Sequence, residues 1–204
     1  MKKVSQKKVT TIRNKPSRKQ AEEAVKILIK WAGDNPEREG LLETPKRVVN
    51  SYKEFFSGYD SKPEQILSKT FDEVEGYDEM VIVRDIAIES HCEHHMVPFI
   101  GIAHIGYIPN KRIVGISKLA RIADVFAKRL QTQEIMTAQI ADTINEVLKP
   151  KGVAVVIDAQ HQCMTTRGTH KTESSTITSR MLGLFRTNSN TRNEFMNLIN
   201  SANS

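Results

Sequence analysis

The chain has 204 residues, 39% of them hydrophobic and 26% charged, with two cysteines and a formal net charge of +6. That length and balance suit one globular domain with its own core and exclude collagen, coiled coil and a chain disordered throughout. No run approaches the roughly 18 apolar residues of a membrane helix, so the chain reads as soluble with no membrane partner.

The charge is uneven. Lys2, Lys3, Lys7, Lys8, Arg13, Lys15, Arg18 and Lys19 stand among the first 19 residues with no acid between them, which leaves the remainder at a net −2. Residues 1–19 therefore read as a basic disordered arm, and nucleic acid is not expected as a partner of the body. The arm lacks the apolar segment of a secretory signal, and two cysteines in a chain of this size give no disulfide scaffold, so a reducing cytoplasm is the expected location.

Residues 20–60 read as an N-terminal helical extension. Ala21, Ala24, Val25, Leu28 and Trp31 share one helical stripe, with Ser17 as N-cap and Gly33 as stop. Thr44-Pro45 opens a second helix, whose apolar face is Val48, Val49, Tyr52, Phe55 and Phe56 and whose end is Gly58. Residues 61–204 read as the catalytic domain. Its predicted strands are 80–89 and 99–108, an antiparallel pair, with Pro109-Asn110-Lys111 as a turn. Two helices follow over 117–130 and 132–148, then a buried strand over 153–157, a strand over 176–185 and a helix over 192–200. Strands, helices and strands again argue for an α+β fold with helices on one face of an antiparallel sheet.

All six histidines fall between positions 91 and 170, and each cysteine lies within two residues of one. The run Ser90-His91-Cys92-Glu93-His94-His95-Met96 follows a strand and ends before Pro98, which predicts a turn at the sheet's edge. Cys92 and His95 can reach one ion from a single turn, and Cys163, beyond the strand at 153–157, is the candidate third ligand. Three protein ligands leave a tetrahedral Zn2+ one position for water, the pattern of a catalytic site. Such water ionises near neutral pH and attacks an electrophilic carbon, with His94 and His161 left to carry protons. The same spacing also suits a structural zinc with His91 or His94 as fourth ligand.

Ser117, Lys118 and Arg121 at a helix start favour an anion, and Arg167 and Arg47 would add charge for a polyphosphate; singly, each also reads as a solvated surface group. No G-x-x-x-x-G-K-[ST] loop occurs, so a nucleotide here is not held by a Walker site. Gln133-Glu134 offers an amide and a carboxylate to the amide edge of a purine, although Glu134 equally suits a first helical turn.

These residues resemble the GTP cyclohydrolase I family. The resemblance rests on Cys92-Glu93-His94-His95, Gly106-Tyr107-Ile108-Pro109, Gly115-Ile116-Ser117-Lys118-Leu119-Ala120-Arg121, Arg129-Leu130-Gln131-Thr132-Gln133-Glu134, and His161-Gln162-Cys163-Met164 with Arg167-Gly168. Upstream, Pro36-Glu37-Arg38-Glu39-Gly40-Leu41, Thr44-Pro45 and Arg47-Val48 extend it, so that it covers about residues 20–200. It implies a tunnelling fold, in which subunit sheets join into a barrel and two rings stack into a homodecamer with active sites at subunit interfaces. It also implies hydrolysis of GTP at C8, release of formate and formation of 7,8-dihydroneopterin triphosphate for tetrahydrofolate or other pterin synthesis.

Carried onto this sequence, the resemblance makes Cys92, His95 and Cys163 the zinc ligands and His94 and His161 the proton-transfer pair. Gln133 and Glu134 would hold the guanine, and Ser117, Lys118, Arg121, Arg167 and Arg47 the triphosphate. The sequence departs from the family pattern at His91, Thr132, Ile135 and Thr169-His170. Three other readings are a catalytically silent zinc-stabilised purine- or pterin-binding protein, a related nitrile reductase acting on a deazaguanine with NADPH, and a nucleic-acid-binding side activity of the arm. The reductase would use an unpaired nucleophilic cysteine, which is not evident here.

Overall fold

A computed structural model describes residues 14–68, 70–71 and 77–201, with only the backbone of 70 and 71. Residues 1–13 of the basic arm lie outside the described residues. Helix α1 (Arg18–Trp31) starts behind a capping box: the Ser17 hydroxyl accepts from the Gln20 amide, and the Gln20 side chain accepts from the Ser17 N–H. It stops where Gly33 adopts a left-handed φ of 96°. Helix α2 (Thr44–Phe55) has Pro45 in its first turn and packs against α1.

After α3 (Pro63–Leu67) come the short β1 (Thr70–Phe71), the long β2 (Val81–Cys92) and β3 (Pro98–Ile108), the short β4 (Ile113–Val114) and α4 (Ile116–Ala127). Then follow β5 (Leu130–Gln131), α5 (Gln133–Leu148), β6 (Gly152–His161), one turn of helix α6 (Gln162–Thr165), β7 (Thr176–Gly183), α7 (Leu184–Thr187) and α8 (Ser189–Asn200). The main sheet has the order β5-β2-β3-β6-β7, antiparallel throughout except that β5 runs parallel to β2; β1 and β4 pair separately. The β2–β3 hairpin closes through residues 93–97, while the predicted turn at Pro109-Asn110-Lys111 leads instead to β4.

Alternation along the strands builds two cores. Ile86, Ile88, Phe99, Ile105, Tyr107, Val153, Val155 and Ile157 point to one face, where α4 and α5 cover them with Leu119, Ile122, Phe126, Met136, Ile140 and Ile144. On the other face Phe185, Phe195 and Ile199 of α7 and α8 pack on Ile108, Ala154 and Val156. Burial from both sides explains why β6 reads as an unbroken apolar run. The second cover reaches only one end of the sheet, and Ile100, Ile102 and Ile177 stay exposed at the other.

The N-terminal helices are anchored to the sheet domain through Gly58. Sequence pattern makes this glycine a helix stop, but α2 has already ended and Gly58 sits in a 3-10 turn, Ser57–Asp60. What it provides is space, because an added Cβ would meet Val125 O at 2.1 Å and Lys128 O at 2.8 Å. Its N–H donates to Lys128 O at 3.0 Å, and the buried Arg129 guanidinium donates to Gly58 O through Nε at 3.0 Å and Nη2 at 2.9 Å. Arg129 also lies over the rings of Phe126 and Tyr59, and the Tyr59 hydroxyl accepts from Leu130 N–H. These contacts end α4 at Ala127, three residues before its predicted end, because Leu130 and Gln131 leave to pair with β2.

Gly58→Ala should therefore lower stability by about 1–3 kcal/mol, the usual range for overpacking. Arg129→Met should cost a similar amount, since it removes both guanidinium bonds to the buried Gly58 carbonyl. A thermal unfolding midpoint equal to wild type in both would contradict the anchoring role.

Candidate metal centre

Two strand ends meet at one edge of the sheet. Cys92 is the last residue of β2 rather than part of the turn, and residues 93–97 fold back over it: Cys92 N–H donates to Val97 O at 2.9 Å and Met96 N–H to Cys92 O at 2.8 Å. Met96 takes a left-handed φ of 55°, and Glu93 N–H donates to Gln131 O of β5 at 2.9 Å. From the other side, β6 places His161 opposite Phe99 of β3, and α6 then carries Cys163 back towards Cys92.

The ligand atoms of Cys92, His95 and Cys163 lie within 4.8 Å of one another, and Cys92 Sγ is 3.8 Å from His95 Nδ1. Cys92 is buried, Cys163 half-buried and His95 exposed, so the cluster opens outward. Burial, together with the neighbouring Cys92 sulfur, pushes the Cys163 thiol up. Two thiols this close resist ionising together, and a cation between them is what makes both thiolates favourable. Two sulfurs and one imidazole form a donor set that suits zinc.

His94 lies beside the cluster, its Nδ1 3.8 Å from Cys92 Sγ, but neither His94 nor His91 belongs to the group that can hold an ion. His91 turns the other way: its ring packs on Phe55 at 4.7 Å and Phe56 at 5.3 Å, and burial, with Lys128, lowers its pKa and keeps it neutral. His161 is half-buried, stacked on Phe99 at 4.5 Å with an interplanar angle of 8°, and its Nε2 is 2.8 Å from Gln133 Oε1. Burial lowers the His161 pKa against the opposing pull of Glu134, so the ring is held towards neutral.

Glu134 is exposed at the start of α5, near enough to His161 to act on its charge, and Arg167 acts in the same way on Cys163. Gln133 is turned inward, with its amide bonded to β6, β7 and His161. Thr132 is the N-cap of α5, its hydroxyl accepting from Ile135 N–H. Thr137, Thr178 and Phe99, which support Gln133 and His161, drew no functional reading from sequence; their one signal is that Thr137 lies a helical turn beyond Gln133.

The anion cluster is elsewhere. Ser117, Lys118 and Arg121 occupy the first turns of α4, which starts two residues after Val114, whose N–H donates to the Tyr107 hydroxyl. Tyr107 lies eight residues along β3 from Phe99, about 27 Å of strand at about 3.4 Å per residue. The metal cluster and the α4 N-terminus are thus at opposite ends of one chain's sheet. Arg47 is exposed on α2, and among the described residues no hydrogen bond or ion pair joins it, Ser117, Lys118 or Arg121 to the cysteines and histidines.

Comparison with known proteins places this arrangement among relatives. Residues 21–200 match the family model described as GTP cyclohydrolase I. The GTP cyclohydrolase 1 of Maricaulis maris (strain MCS10) is 57% identical over 191 residues, covering 94% of this chain and 93% of that protein. Those of Hyphomonas neptunium (strain ATCC 15444), 58% identical over 90% of this chain and 89% of that one, and of Brucella suis (strain ATCC 23445 / NCTC 10510), 56% identical over 96% and 92%, are similarly near. A crystal structure of the archaeosine synthase QueF-Like in the apo form aligns with a TM-score of 0.41 at 13% identity, covering 51% of this chain and 93% of that chain, too distant a likeness to argue from.

Cys163→Ala should abolish metal retention, measured as zinc content after gel filtration, from about one ion per chain to near none. His91→Phe, which keeps the aromatic packing on Phe55 and Phe56, should leave the content unchanged, and its loss there would place His91 among the ligands.

Proposed function

The chain belongs to the GTP cyclohydrolase I family and is an enzyme of that family, and we propose that it hydrolyses GTP at C8 of the guanine ring with Zn2+ held by Cys92, His95 and Cys163. The observation that carries this reading is the convergence of those three ligand atoms at the open edge of the sheet. A bound zinc ion supplies Lewis acidity that ionises water near neutral pH. His161, held neutral by burial, and His94, exposed beside Cys92, move protons to and from the purine nitrogens as the ring opens. Glu134, exposed next to His161, accepts from the N–H edge of guanine. The products on this reading are formate and 7,8-dihydroneopterin triphosphate, which supplies tetrahydrofolate or other pterin synthesis in the cytoplasm. Among the described residues no helix is long and apolar enough to cross a membrane.

The triphosphate is held by Ser117, Lys118 and Arg121 with Arg167 and Arg47. Because the α4 cluster stands at the far end of the sheet from its own metal centre, the reading requires a second copy of the chain to bring its α4 to each centre. Among the described residues the two edge strands of the main sheet, β5 and β7, have no second neighbour, which supports joining of sheets into a ring and the homodecamer expected from the resemblance.

Incubation with GTP should yield a fluorescent pterin and formate from zinc-loaded protein, none after chelation, and both again on adding zinc back. A zinc-loaded protein that binds GTP without product would instead be a silent binder. Cys163→Ala and Lys118→Ala should each be inactive alone, whereas subunits of the two co-assembled in equal amounts should recover about a quarter of wild-type activity by random pairing of intact halves. A mixture that stays inactive would place both halves of the site in one chain.

A further inference from the structure

Behind His161 runs a chain of hydrogen bonds whose direction is set by which groups have hydrogens to give. Thr137 Oγ1 lies 2.7 Å from the Gln133 carbonyl oxygen, which can only accept, so the single hydroxyl hydrogen of Thr137 is directed there. Towards Thr178 Oγ1, also at 2.7 Å, Thr137 is then the acceptor and Thr178 the donor. With its hydrogen so engaged, Thr178 Oγ1 faces the Gln133 side chain at 3.1 Å as an acceptor. The carbonyl oxygens of Ile157 and Thr176 face the same atom of Gln133 at 3.1 and 2.7 Å. Three acceptors around one atom identify it as the amide nitrogen. The flipped amide would set its oxygen against two carbonyls and a hydroxyl with no hydrogen to offer.

The opposite corner of the amide is therefore the oxygen, and it lies 2.8 Å from His161 Nε2. That oxygen only accepts, so Nε2 must carry the hydrogen. Stacking on Phe99 fixes the plane of the ring. At 1% exposure, Gln133 is a wall residue rather than one offered to a ligand, unlike Glu134 beside it.

We propose that Gln133 is a positioning residue that holds His161 as its Nε2–H tautomer, with Thr137 and Thr178 fixing the amide, so that Nδ1 carries the lone pair that takes up and returns the proton. The proposal rests on the reading of His161 as a proton-transfer group and reassigns Gln133 from guanine binding to the support of that histidine. The opposite tautomer would present a hydrogen at Nδ1 and could not accept a proton there.

The test is solid-state 15N NMR of the zinc-loaded protein labelled with 15N-histidine, the His161 signals being assigned by their absence in His161→Asn. Wild type should show a pyrrole-type Nε2 and a pyridine-type Nδ1, and the reverse pattern would overturn the proposal. This readout needs no turnover, so it stands apart from any failure of the proposed reaction. In Gln133→Met, and in Gln133→Asn, whose shorter amide no longer reaches the ring, the tautomers should mix and kcat should fall at least about tenfold with KM for GTP within about twofold. A His161 tautomer unchanged in both Met and Asn variants, or a raised KM at unchanged kcat, would return Gln133 to substrate binding.

Discussion

Phe99 pairs with His161 across β3 and β6, and His91 with Pro98 across β2 and β3. These two registrations bring the end of β2 and the end of β6 to the same edge of the sheet, and so set Cys92 beside Cys163 although 70 residues lie between them in sequence. A slip of one residue would turn the inward set of β3 outward and carry His161 away from its stacking partner. The register is held by the alternation that buries Phe99, Ile105 and Tyr107 against α4 and α5, so the hydrophobic core and the placement of the metal ligands are one constraint.

The turn that carries His95 is braced from behind. Gln131 of β5 receives the Glu93 N–H, and α2 presses Phe55 and Phe56 onto His91, the residue before Cys92. This accounts for the departure at His91: the ring is buried and neutral and serves as an aromatic packing face. Its Nδ1 is buried with no hydrogen-bond partner, a cost that the two phenylalanine contacts offset. Thr132 is similar, a departure that supplies a helix cap.

Much of the fold could be read from the sequence because its long elements have strong periods. The alternation of β2 and β3, the helical stripes of α4 and α5 and the Ser17 cap each follow from local chemistry. The misses share a physical cause in tertiary contact. The strand ending at Cys92, the helix stopping at Ala127 and the two-residue β5 are all set by pairing with distant chain, which leaves no period to detect. At the site, residue types pointed to the Cys92, His95 and Cys163 group because thiols and imidazoles at that spacing have few other uses. Orientation stayed hidden: Gln133 looks like a purine ligand from its chemistry, and only its three acceptors show that it faces inward. Separation stayed hidden too, since nothing in the run from Ser117 to Arg121 tells that β3 carries it to the far end of the sheet.

The attachment of the N-terminal helices joins an arginine to carbonyl oxygens and ring faces, with no carboxylate in the contact. Burial draws the Arg129 pKa down, yet a guanidinium keeps its charge across the whole working range of pH, and the carbonyl oxygens that it bonds do not titrate. An ion pair such as Lys128 with the exposed Glu89 weakens as ionic strength rises or as the acid is neutralised, whereas the bonds at Gly58 respond to neither. Salt and mild acid therefore loosen the rim of the molecule before they reach this joint. The joint between α2 and the sheet is thus insensitive to both, and the brace of Phe55 and Phe56 behind the metal turn shares that insensitivity.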